Sequence, residues 1–118
     1  MAEAQFTYTQ GDTLPVVFWK IDPLINLTGA TVTWSLDDAD GNDVLDAVPA
    51  TVANGTYLID GVSTALTPAD GVVFWAPQPG NTAQKGIYRG SFEVTLPGGG
   101  KLHSPNKDYI EILVQEAL

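Results

Sequence analysis

Apolar residues in this chain recur with period two, and Gly, Pro, Asn and Asp interrupt them about every eight to twelve residues. A backbone that sends successive side chains to opposite faces is a strand, and strands so short and so often reversed are joined as antiparallel neighbours. Residues 31–36 are the clearest case: Val32, Trp34 and Leu36 point one way, and Thr31, Thr33 and Ser35 the other. Ile110, Ile112 and Val114 repeat the pattern. So do Tyr88, Phe92, Val94 and Leu96, on a face that includes Gly90, a residue that leaves space or marks a bulge. Further strands are predicted at residues 6–9, 13–20, 56–60, 71–76 and 101–104. Asp40-Gly41, Asn54-Gly55, Asp60-Gly61 and Asp70-Gly71 suit turns with positive φ. Pro97-Gly98-Gly99-Gly100 closes a hairpin, and Pro77-Gln78-Pro79-Gly80 ends the strand before it. Residues 62–70 read as a loop or one short helical turn beginning near Pro68.

Without helical periodicity or an internal repeat, this pattern predicts an all-β fold, an immunoglobulin-like antiparallel β-sandwich of about eight strands. A chain of 118 residues buries roughly two-thirds of its unfolded surface, enough for one core. The expected organisation is a flexible N-terminal arm at 1–5 and a single sandwich at 6–118. The absence of cysteine removes the antibody-type core disulfide and every thiolate metal site.

Charge narrows the function classes. Fourteen acidic groups against five basic ones, a net charge of −9, argue against a partner that is nucleic acid or an anionic membrane surface, because each phosphate contact needs a cation. No wholly apolar run is longer than residues 72–77, far short of the roughly twenty residues of a spanning helix. Residues 1–5 carry neither the basic nor the apolar region of an export signal, so none is expected.

Four constellations invite a chemical reading. Asp37, Asp38, Asp40, Asp43 and Asp46 are dense enough for calcium, with Asp38, Asp40 and Asp43 as the candidate ligands. The spacing does not make a helix-loop-helix site: with Gly41 at its glycine position, Leu36 and Ala47 fall where the first and last oxygen ligands belong. A solvated hairpin with an Asp-Gly turn is the simpler reading. His103 and Ser104 are adjacent, but neighbours on a strand face opposite ways and cannot form a nucleophile-base pair. The carboxylates fall mostly in turn-like segments, not in an apolar pocket that would raise a general acid's pKa. Gly98-Gly99-Gly100-Lys101 lacks the setting of a phosphate loop. The expectation is a non-enzyme with no cofactor.

Phe18-Trp19 and Phe74-Trp75 each set two large rings on opposite faces of a strand, so one ring of each pair leaves the central core. The outer rings would be covered by loops of the same domain or serve a partner. The docking reading assigns Val17, Trp19, Val73 and Trp75 to that surface, and then Trp19→Ala and Trp75→Ala weaken attachment while sparing the fold. Carbohydrate stacking on the tryptophans, with calcium in the aspartate loop, is the alternative.

The segment Leu27-Thr28-Gly29-Ala30-Thr31-Val32-Thr33, preceded by Gly11-Asp12-Thr13-Leu14-Pro15 and followed by Gly86-Ile87-Tyr88-Arg89-Gly90-Ser91-Phe92-Glu93-Val94, resembles the immunoglobulin-like N-terminal domain of the phage baseplate upper protein family. The turn at Pro97-Gly98-Gly99, Ser104-Pro105 and the strand Tyr109-Ile110-Glu111-Ile112 extend the likeness. It implies a structural protein of a tailed-phage virion, assembled in the host cytoplasm, whose partners are other virion proteins of capsid, tail or baseplate. With the sandwich closing near Leu118, a capsid decoration (cement) protein or a small tail accessory is expected. An edge strand would equally allow self-association.

Overall fold

A computed structural model describes residues 2–21, 25–105 and 109–117 as an all-β sandwich. Among the described residues eleven strands follow one another: β1 (Ala2–Thr9), β2 (Val17–Lys20), β3 (Thr31–Asp38), β4 (Asp43–Pro49), β5 (Thr51–Val52), β6 (Gly55–Ile59), β7 (Val62–Leu66), β8 (Val72–Trp75), β9 (Gly86–Thr95), β10 (Lys101–Ser104) and β11 (Tyr109–Gln115). The larger sheet runs β1-β11-β9-β3-β4, with β10 also paired to β9; the smaller runs β2-β8-β5; β6 and β7 pair with each other. Placing β2, β8 and β5 in one layer and β11, β9 and β3 in the other reproduces the B-E-D and G-F-C layers of an immunoglobulin sandwich, with β4 at the C′ place.

The alternating faces fall as expected. Val32, Trp34 and Leu36 of β3, Tyr88, Phe92 and Val94 of β9, and Ile110, Ile112 and Val114 of β11 are buried, against Val17, Val73 and Trp75 of the smaller sheet. Trp34 fills the middle of the core. Its ring stacks on Trp75 at 5.0 Å and 14° and meets Phe92 at 4.7 Å, within the 4.5–7 Å range where aromatic pairs contribute beyond area alone.

Two features stand in for the missing disulfide. Tyr88 donates its hydroxyl to the Gln84 carbonyl at 2.8 Å, the tyrosine corner that braces the start of the F strand. Gly90, two residues on, occupies the place of the second antibody cysteine, and Trp34 packs directly against it. Tyr88→Phe keeps the ring and deletes the bond, so the unfolding free energy is expected to fall by about 1 kcal/mol, read as a lower urea midpoint at unchanged m-value. An unaltered midpoint would show that the corner does not brace the fold.

Three expectations need correction. Residues 2–5 are not a free arm: Ala4 lies opposite Ile110 and Gln5 opposite Glu111 in β1, which runs parallel to β11, the single departure from antiparallel pairing among the described residues. Backbone ladder bonds hold this segment, so its polar side chains concealed it. Met1 of that arm and the boundary residue Leu118 lie outside the described residues. Residues 62–66 form β7, not loop; only Pro68–Asp70 makes the short 3-10 turn, closed where the Asp70 carboxylate accepts the Thr67 N–H at 2.7 Å. The strand count exceeds eight because β4, β5 and β7 were not resolved in the alternation.

Candidate docking surface

The four residues assigned to a docking surface do share a face, but it is the inner one. Val17 and Val73 are 0% exposed and Trp75 6%. Trp19 is half-buried, packs against the core, and donates its indole N–H to the buried Ser104 hydroxyl at 2.8 Å. The register Val17↔Trp75 and Trp19↔Val73 ties all four to one side of β2 and β8. Register therefore turns Phe18 and Phe74 outward, and a part of the same chain covers them. Tyr57 of β6 packs edge-on to Phe18 at 5.7 Å and to Phe74 at 5.2 Å, while its hydroxyl accepts the Asn54 N–H at 3.0 Å. With Trp34 and Trp75 in the core and the Trp19 indole committed to Ser104, no tryptophan offers an exposed platform for a sugar ring.

Beside this aromatic cover lies a groove of about 730 Å³ that the sequence reading missed. Residues 5–7 of β1, 14–16 of the β1–β2 connection, Phe18, and 57–61 of the β6–β7 hairpin line it. Tyr8 holds the connection in place by donating its hydroxyl to the Pro15 carbonyl at 2.6 Å, and burial pushes this phenol above the ordinary tyrosine range. Leu14 and Leu58 on the groove are 69% and 72% exposed, and Val62 at the hairpin 63%. Asp60 is the sole charged residue among the described residues lining it. The available signal was the uncharged run of residues 47–59, which includes an aromatic and two large aliphatics on a hairpin.

The aspartate loop is a hairpin held by its own backbone. Asp38 accepts the N–H groups of Asp40 and Asn42, each at 2.9 Å, and the Asn42 side-chain amide at 3.3 Å. The Asn42 backbone bond above all, with its side chain and the Asp40 and Gly41 amides, holds the Asp38 carboxyl below the usual carboxylate range. Among the described residues no three His, Asp or Glu side chains gather as a metal site, so Asp38, Asp40 and Asp43 are not brought together as calcium ligands. Asp37 behaves oppositely. Burial, followed by a hydrogen bond shared with Asp43 opposite it and repulsion from Asp43, Asp38 and Asp46, raises its carboxyl pKa.

A raised folded-state pKa stabilises below the unfolded value and loses that contribution as pH climbs through the folded value. Asp43→Asn removes the like charge opposite Asp37 and is expected to stabilise the domain at neutral pH by about 0.2–1 kcal/mol. The gain shrinks as pH falls through the carboxylate range. Urea midpoints of both proteins across that range check it; a gain that grows toward acid pH would contradict the assignment.

His103 and Ser104 leave opposite faces of β10. Ser104 points into the core, and His103 Nε2 lies 3.0 Å from Glu93 Oε2 at the surface. Hence the hydroxyl and imidazole do not meet. Among the described residues no helix is long and apolar enough to cross a membrane. The sequence matches no family model and no curated protein.

Proposed function

We propose that this chain is a structural, adhesive protein of a tailed-phage virion, a small immunoglobulin-like accessory that binds assembled capsid or tail proteins and stabilises the particle without catalysis. The observation that carries the docking role is the groove between β1 and the β6–β7 hairpin, whose lining includes the exposed Leu14 and Leu58. Large aliphatic side chains left exposed beside a groove favour an interface there. Burial contributes about 25 cal/mol per Å² before association costs, so one contact is modest and a particle gains through many copies. The virion assignment draws on the resemblance, whose segments fall on β3, β9 and β11 and the turns around them.

Mass spectrometry of purified particles, separated into heads and tails, tests the assignment. Copy numbers comparable with the major capsid protein are expected for a decoration protein, and a small fixed number in tails for a baseplate or neck accessory. Absence from both fractions refutes the virion reading.

A further inference from the structure

We infer that the free edge of β1 and its groove accept an extended, cation-bearing apolar segment of a different protein, which adds as a further strand beyond β1. This inference rests on the docking role proposed for the groove and specifies the partner's chemistry.

The comparison of sheet edges points to β1. An unpaired edge is a template for another chain, and proteins blunt unwanted ones with charge, proline, bulges or shortness. The β4 edge carries Asp43, Asp46, Pro49 and two register irregularities; β5 has two residues; β2 has four and ends in Lys20; β10 has four and carries Lys101. β1 has no such guard over Gln5-Phe6-Thr7-Tyr8, which continue in unbroken register with β11; only at Thr9 does Asp12 take the N–H and C=O. The other unguarded strands, β6 and β7, form the hairpin whose residues 57–61 make the opposite wall of the groove. An incoming strand thus finds ladder donors and acceptors on β1 and apolar contacts on Phe6, Leu14 and Leu58, which is recognition by strand addition.

Charge selects the occupant. The one charged side chain among the described lining residues is Asp60, and the chain carries −9 overall. A second copy brings another nine negative charges and a second Asp60, whereas a segment with lysine or arginine beside its apolar residues is attracted both over distance and at the groove.

The test titrates two synthetic heptapeptides of alternating valine and threonine, one with lysine at each end and one with glutamate, into the isotopically labelled protein. The lysine peptide is expected to shift the amides of residues 5–9 and 57–61, and to slow hydrogen exchange in β1. The glutamate peptide binds more weakly. Leu58→Lys abolishes lysine-peptide binding, since this exposed position tolerates charge without loss of fold. Asp60→Asn, which keeps a residue suited to the turn's positive φ, weakens it by about twofold to fivefold, the range of one exposed ion pair. Equal binding of both peptides, no shift in β1, protection confined to β6, or a dimer in sedimentation that Leu58→Lys dissociates would each overturn the inference. The outcome is independent of particle mass spectrometry: a chain absent from virions can still bind the peptide, and a virion protein can fail to.

Discussion

Replacing Gly90 with alanine is expected to destabilise the domain by about 3 kcal/mol, the upper part of the usual overpacking range, and to lower Tm by about 10 °C or more. The added Cβ would clash with the Cη2 and Cζ2 edge of the Trp34 ring. That ring has nowhere to go: it is 0% exposed, stacked on Trp75, pressed against Phe92, and anchored in a strand paired on both sides. Glycine is needed at this position for room, because its backbone is ordinary strand. Thermal unfolding and urea titration of the variant measure the effect. If Gly90→Ala unfolds at the wild-type temperature, Trp34 does not depend on this space, and the account of the core fails with it.

Trp75→Ala should cost about 3–5 kcal/mol, the range for deleting a buried large aromatic, against a typical total of 5–15 kcal/mol. The ring is 6% exposed and forms one half of the central indole stack. The register of β2 against β8 leaves no adjacent side chain able to swing into the void, since Phe74 faces outward under Tyr57. This reverses the expectation that the fold would survive the substitution. Trp19→Ala should be milder, because the ring is only half-buried and its loss mainly releases the Ser104 hydroxyl and some core packing. Chemical denaturation of the two variants side by side ranks them. A stable Trp75→Ala protein that no longer docks would return Trp75 to the surface and reinstate the docking face expected from sequence.

The groove gives the adhesive reading its geometry. Its walls come from two regions far apart in the chain, residues 5–18 and 57–61, and expose side chains, so mutations there separate binding from folding in a way the buried tryptophans cannot. Leu58 at 72% exposure is the position where that separation is cleanest.

Period-two alternation in residues 31–36, 88–96 and 110–114, with glycine and proline turns between, was enough to specify an all-β sandwich and its central strands, because side-chain burial leaves its mark on composition residue by residue. Space at Gly90 and the opposed faces of His103 and Ser104 follow from the same local geometry. The sequence could not orient the Phe18-Trp19 and Phe74-Trp75 pairs: each presents a large apolar ring to either face, and only the pairing of β2 with β8 and the packing of Tyr57 decide which ring meets the core. Nor could it place residues 2–5 or 62–66, whose strands are held by backbone ladder bonds that any side chain permits. The groove lay furthest from view, since its existence depends on residues 5–18 and the distant 57–61 converging, and convergence is a property of the folded chain alone.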